Sequence, residues 1–206
     1  YNFITSFNET IYKNIGHQFI KSISNYFEPV LKLKCFYHDC NIGSYDLTKD
    51  NVSYESIDTI KEYKTFKDIH AAHNGTEGGQ IPYNIKLDAL RSSHKVFSLT
   101  KHAESVYKKG WLIWIDADSY VNKRLTTKDL EKMLPDDAHI VYRGLRSYED
   151  GTQGIDSSFM AFNLKHQATY DLLMDLKKAY VTGEVFQYRE WHDAFITERL
   201  MNIYDT

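Results

Sequence analysis

Only two cysteines occur in the 206 residues, Cys35 and Cys40, both within CFYHDC. Their spacing matches no common zinc or redox motif, and no further cysteines exist from which a disulfide framework could be built. They read as free thiols in a reducing compartment, with a local disulfide as the minority alternative and a cytoplasmic location as the expectation. Charge of one sign is also lacking. With 25 Lys and Arg against 28 Asp and Glu, the formal net charge is -3, which disfavours a dedicated nucleic-acid binder. No apolar run approaches the length that crosses a bilayer, so no transmembrane segment is expected. There is no internal repeat and no low-complexity tract. The chain begins at Tyr1 with neither a Met nor a signal-like segment, which is compatible with an excerpt trimmed at its termini. Without a secretory signal, the sequons at Asn8, Asn51 and Asn74 carry little weight.

What is present is a globular composition. Hydrophobic residues make up 42% of the chain, enough to bury a sizeable core, and one domain over residues 1–206 is expected. Aromatic residues reach 15%, with 16 Tyr. Tyrosine-rich clefts often stack on bases or sugar rings, but half-buried strand and helix positions account for most such residues.

The order of elements is legible. Tyr1–Phe7 is β-rich, and Thr10–Tyr26 carries Ile11, Ile15, Phe19 and Ile23 on a repeating helical face. Pro29 ends that segment, and Val30–Tyr37 alternates like a strand that finishes at His38-Asp39. Such a strand-helix-strand opening predicts a parallel sheet with a right-handed crossover. Residues 41–82 are polar, hold Gly75, Gly78 and Gly79, and read as an irregular excursion over the sheet. His70 and His73 within it lack further ligand partners and read as surface histidines. From Tyr83 to Lys109 a long helical pattern returns, with a possible break near Leu99-Thr100, and places Asp88, Arg91 and Lys95 on one face. Thr126 or Thr127 then caps a short helix stopped by Pro135. Strands follow at Ala138–Tyr142 and Ser158–Leu164, and helices at about Gln167–Thr182 and Arg189–Asn202.

One stretch carries most of the chemistry. Trp111–Val121 reads WLIWIDADSYV, and a short continuous apolar run of this kind suits a strand buried on both faces. Asp116-Ala117-Asp118 falls at its carboxyl end, where open α/β sheets place their ligands. Strand alternation sends both carboxylates to the same side, with Ala117 leaving room between them. Two hard oxygen ligands suit Mg²⁺ or Mn²⁺, particularly a metal that also holds a phosphate. The plain alternative is a strand end whose aspartates cap the next turn.

Two chemistries use such a pair. Phosphatases of the haloacid-dehalogenase type also place Asp-x-Asp after an apolar strand, with the first Asp as nucleophile. Their motif usually lies on the first strand and continues into Gly-Thr. Here two strands and a long helix precede it, Ser119-Tyr120 replaces Gly-Thr, and Asp136-Asp137 lies too near to be the late acidic pair. This reading ranks second. A third keeps the fold as a sugar- or nucleotide-binding module without turnover.

Five segments in order, YNFITSFN, FYHD, WLIWIDAD, GIDSSFMAFNL and REWHDAF, resemble the GT-A glycosyltransferases, which use nucleotide sugars. The resemblance covers most of the chain. It implies a single Rossmann-like α/β domain with a mostly parallel central sheet flanked by helices. It also implies transfer of a sugar from a nucleoside-diphosphate donor, UDP or GDP type, to a saccharide or other hydroxyl acceptor, with Mn²⁺ or Mg²⁺ at Asp116 and Asp118. Asp118 is the expected direct ligand, with Asp116 toward ribose or sugar. His192 is the candidate for the late histidine that completes the metal shell in many members, unless that ligand lies beyond Thr206. Donor contacts are expected from Thr5, Ser6 and Phe7 at the end of the first strand, from Asp39, from Ala117, and from Arg91 and Lys95, either as positive charge toward phosphate or sugar or as partners of the two aspartates. The last two have a solvated helix face or a structural salt bridge as their plain alternative. Asp156 and Ser157 would face sugar or acceptor, with an Asx-turn as the alternative for Asp156. Asp193 or Glu190 fits the base beside the acceptor hydroxyl in an inverting enzyme, or an orienting acid in a retaining one. Acidic residues in a first helical turn are also favoured by the helix dipole alone. Trp191 can stack on a sugar face or fill the core. Arg143 and Arg146 can meet a phosphate or acidic sugar, or cap their loop.

Overall fold

The computed structural model describes residues 1–42, 50–76, 83–147, 151–204 and 206. Six strands form one sheet in the order β3-β2-β1-β4-β8-β5. These are β1 (Asn2–Asn8), β2 (Lys32–His38), β3 (Val52–Ser56), β4 (Trp111–Ile115), β5 (Ile140–Tyr142) and β8 (Phe159–Asn163). The pairs β1–β2, β1–β4 and β2–β3 are parallel, while β8 runs antiparallel to both β4 and β5. The mostly parallel α/β sheet expected from the sequence is therefore present. Two short strands, β6 (Leu145–Ser147) and β7 (Gln153–Ile155), form a separate antiparallel ribbon.

The apolar run 111–115 occupies the sheet centre, and all five of its residues are buried. Alternation divides them between two cores. Leu112 and Trp114 join Ile4, Phe36, Met160 and Phe162 on one face. There they pack against α4 (Ala89–Ser105), α6 (Gln167–Val181) and α7 (Asp193–Tyr204). Trp111, Ile113 and Ile115 join Phe3, Phe7 and Leu33 on the other, beneath α2 (His17–Tyr26) and α5 (Thr127–Met133). A strand covered on both faces needs no polar alternation, which is why this segment reads as a continuous run.

Several expectations shift in detail. The first helical stretch is composite: a turn, α1 (Glu9–Ile11), then a π-helical turn over Tyr12–Gly16, then α2. Asn8 caps it, its side-chain oxygen accepting Ile11 N–H at 2.8 Å. The region 41–82 is not irregular throughout. It contributes the edge strand β3 and the helix α3 (Lys61–His70), hidden in the sequence because VSYES is polar and α3 buries only Tyr63 and Phe66. Gly78 and Gly79 lie outside the described residues. Helix α4 runs unbroken through Leu99-Thr100, where the Thr100 hydroxyl donates to the Val96 carbonyl at 2.9 Å. Asp88 starts it by accepting Arg91 N–H at 2.8 Å. His70 and His73 are half-buried rather than surface residues. Their rings lie 4.6 and 4.2 Å from that of Phe186. Both cysteines are free, with Cys35 fully buried. Among the described residues no helix is long and apolar enough to cross a membrane.

Candidate active site

Strand order reverses between β1, flanked by β2, and β4, which leads toward β8. In open α/β sheets the crevice at the carboxyl ends beside such a switch point is where ligands bind. A cleft of about 440 Å³ opens there. Its sheet edge is formed by Ser6 and Phe7 in the last residues of β1, His38 at the end of β2, and Asp116-Ala117-Asp118 after β4. Arg91 and Lys95 project into it from α4. Asp156, Ser157, His192 and Asp193 close the opposite side.

Strand β4 stops at Ile115, so Asp116-Ala117-Asp118 lies in a turn rather than in extended strand. Asp116 N–H donates to Ser158 O at 2.9 Å, and Ser119 N–H returns to Asp116 O at 3.0 Å. Both carboxylates reach the cleft, as expected, but through this turn. Trp114 Nε1–H donates to Asp116 Oδ1 at 2.5 Å, fixing the carboxylate from below. Asp118 is exposed, and no hydrogen bond or ion pair engages it among the described residues.

Lys95 is the electrostatic centre of the cleft. Its ammonium lies 3.0 Å from Asp193 Oδ2 and 3.7 Å from Asp116 Oδ1. It also donates to the Ser157 carbonyl and sits 4.9 Å from the centroid of the Trp114 ring. One cation thus ties α4 to the β4 turn, to the segment before β8 and to the start of α7. Burial pushes the Asp116 carboxyl above its ordinary range, and Asp193 and Asp118 add to this; Lys95 and the Trp114 N–H offset part of it. For Asp193 burial acts in the same upward direction, but Lys95, with His192 and Ser157 adding to it, outweighs burial and holds the carboxyl below its ordinary range.

Some expected residues fall elsewhere. Thr5 is fully buried with its hydroxyl unpartnered, one residue short of the cleft. Asp39 adopts a left-handed φ of 45° and does not line the cleft; its carboxylate lies 3.2 Å from Lys67 and 3.3 Å from His38 Nδ1. His38 takes the place expected for it. Trp191 is a core residue, its indole N–H donating to Tyr188 O at 3.1 Å. Glu190 is buried behind the cleft wall, 2.9 Å from His192 Nε2, 3.4 Å from Arg189 and 3.7 Å from Lys86. His192 lines the cleft, yet both ring nitrogens are engaged: Nδ1 accepts Phe195 N–H at 3.3 Å, leaving Nε2–H for Glu190. Among the described residues no three His, Cys, Asp or Glu side chains are grouped as a metal cage. Arg143 caps the Asp156 turn at 3.7 Å, while Arg146 lines the cleft. Asp156 Oδ1 accepts Ser158 N–H at 3.0 Å, the Asx-turn alternative, although its side chain still borders the cleft.

Sequence reasoning missed a histidine stack. The His38 and His94 rings lie 3.5 Å apart at 18°, both against the cleft. His94 Nε2 lies 3.1 Å from Tyr63 OH. Burial lowers both histidines, His94 to about 3, so the pair is neutral near pH 7. The only signal was the His of FYHD, where the adjacent Asp drew attention instead.

No protein-family model matches the chain, and no curated protein matches it. Among solved structures, the apo form of mouse xyloside xylosyltransferase 1 is similar in fold. Its TM-score is 0.55 at 13% identity, over 100% of this chain and 82% of that one. At that identity the likeness speaks to the fold.

Proposed function

We propose that this chain is a glycosyltransferase that moves a sugar from a nucleoside-diphosphate donor to a hydroxyl acceptor, with Mn²⁺ or Mg²⁺ held at Asp116 and Asp118. The observation that carries the reading is the Asp116-Ala117-Asp118 turn opening into the switch-point cleft beside Lys95 and Arg91. The fold likeness to a xylosyltransferase supports the same class.

The donor set fits a shared cation better than a protein-only one. Asp118 is open to solvent, and Asp116 offers its second oxygen while the first is held by Trp114. Mg²⁺ and similar ions commonly use one or two carboxylates and take their other ligands from phosphates and water. When bound, such an ion neutralises charge developing on the diphosphate leaving group. In the transfer, the acceptor oxygen bonds to the anomeric carbon as that carbon's bond to the diphosphate breaks. The diphosphate leaves with the electron pair, and the hydroxyl proton passes to it.

The chain's own residues then have distinct tasks. Arg91 places a guanidinium toward the diphosphate. Lys95 holds Asp116 and Asp193 in place and supplies positive charge beside the sugar. Asp193, held ionised by Lys95, is a weak base and suits orienting a sugar hydroxyl better than removing its proton. His38, with His94 behind it, presents a neutral ring on the side of the cleft bounded by β1 and the π-helical turn, where a nucleoside can lie.

A thermal-shift panel of UDP-, GDP- and CMP-sugars, each with Mn²⁺ and with EDTA, tests the reading. One nucleotide class should stabilise the protein by about 2.7 kcal/mol at a hundredfold excess over its dissociation constant, and EDTA should remove the effect. No shift with any nucleotide would refute it.

A further inference from the structure

A second cleft, of about 170 Å³, lies between β7 and α7. It shares Ile155, His192 and Ala194 with the larger one, so the two are neighbours across a common wall. We propose that this second cleft seats a neutral saccharide ring of the acceptor and directs one of its hydroxyls past His192 toward Asp193. The inference rests on the transferase reading and adds the acceptor class to it.

The lining argues for hydroxyl recognition. Helix α7 presents Phe195, Glu198, Arg199 and Asn202 to the cleft, spaced i, i+3, i+4 and i+7 on a single stripe. Opposite them stands Gln153 of β7. Among the described residues no hydrogen bond or ion pair engages Glu198, Arg199 or Asn202. Arg199 is held only through ring contacts, its Cζ 5.3 Å from the Tyr188 centroid and 5.7 Å from that of Phe195. A carboxylate that only accepts, a guanidinium that only donates, and amides that do both are the complement of a polyol, in which every hydroxyl does both. Phe195 adds an apolar contact of the kind small-ligand sites use beside a few polar groups.

Charge decides against an anionic ligand. Among the described lining residues the two guanidiniums, Arg189 and Arg199, are matched in number by two carboxylates, Glu190 and Glu198, and Arg189 already lies 3.4 Å from Glu190, so the cleft carries no net positive charge to select a phosphate or a carboxylate sugar. An extended lipid would need an apolar lining, which Gln153, Glu198, Arg199 and Asn202 do not provide. Plain solvation is the usual fate of a polar helix stripe. This one instead forms the wall of a concave site that adjoins the cleft holding Lys95 and Asp193.

Saturation-transfer NMR on the full chain with p-nitrophenyl glucoside, galactoside, mannoside and xyloside tests the assignment. At least one glycoside should receive saturation at its sugar-ring protons. The double variant Glu198→Ala/Asn202→Ala should bind it at least tenfold more weakly, with the Mn²⁺-dependent thermal shift by nucleotide unchanged. Both substitutions lie on the outer stripe of α7, and that thermal shift also reports folding. Equal glycoside binding by wild type and variant overturns the proposal. So does absence of glycoside binding when the nucleotide shift is present, and the transferase reading then survives. If wild type shows neither glycoside binding nor a nucleotide shift, both fall together.

Discussion

Replacing Lys95 with Met keeps the length and apolar stem of the side chain but removes its charge. In the native site that charge stands 3.0 Å from Asp193 and 3.7 Å from Asp116, and only 10% of the Lys95 side chain is exposed. At an effective dielectric constant of about 20, the nearer pair alone is attractive by about 5 kcal/mol before desolvation is counted. Removing one member of a buried pair leaves the other uncompensated, at a usual cost of about 3–5 kcal/mol. Lys95→Met should therefore lower the unfolding free energy by about 3 kcal/mol in urea titration at pH 7.5. Asp193→Asn in the same background should restore at least about 1 kcal/mol, because a neutral amide needs no counter-charge. The pH dependence gives a second check. Without Lys95, burial is left as the largest influence on Asp193 and acts upward, so protonation costs the variant less than wild type and its deficit should shrink as pH falls toward 5. A Lys95→Met midpoint close to wild type, or a deficit that Asp193→Asn leaves unchanged, would refute the view that this ammonium is the electrostatic keystone of the cleft.

Two further predictions concern the frame of the site. His94 is depressed to about 3. The unfolded chain therefore takes up a proton near pH 6.5 that the folded chain refuses, and stability falls as pH drops below that value, by about 2 kcal/mol at pH 5 from this residue alone. His94→Asn should remove that part of the slope in urea midpoints measured between pH 7.5 and 5, and parallel slopes would count against it. Thr126 caps α5 through a capping box with Asp129, its hydroxyl donating to Asp129 Oδ2 at 2.7 Å. Thr126→Ala should cost about 1 kcal/mol by the same titration, and an unshifted midpoint would contradict the assignment.

The parts of the fold most legible in sequence were those with one strong local signal. WLIWI announced a doubly covered strand because burial on both faces removes alternation. The edge strand β3 and the ribbon strands β6 and β7 were missed for the opposite reason. VSYES is largely half-buried and LRS fully exposed, so neither carries an apolar period, and tertiary pairing rather than local pattern fixes them. At the site, the Asp116–Asp118 turn, Arg91, Lys95 and Asp193 do share a cleft. Pairing of Lys95 with Asp116 was among the expectations, whereas its shorter contact with Asp193 was hidden, because that contact joins helices far apart in the chain. Asp39 stands one residue beyond the cleft lining: it follows β2 with a left-handed φ, its carboxylate meets Lys67 and His38, and His38 itself borders the cleft. Trp191 and Glu190 adjoin the site in sequence but are drawn into the core and into an ion-pair cluster behind the wall.

In the proposed transferase the exposed carboxylate of Asp118 recruits a divalent ion for nucleotide binding. Titration calorimetry of UDP, GDP and CMP with Mn²⁺ on wild type and on Asp118→Ala tests it most directly. Wild type should bind one nucleotide in a manner that EDTA abolishes, and Asp118→Ala should lose that binding with its thermal unfolding otherwise unchanged. Undiminished Mn²⁺-dependent binding by Asp118→Ala would contradict it.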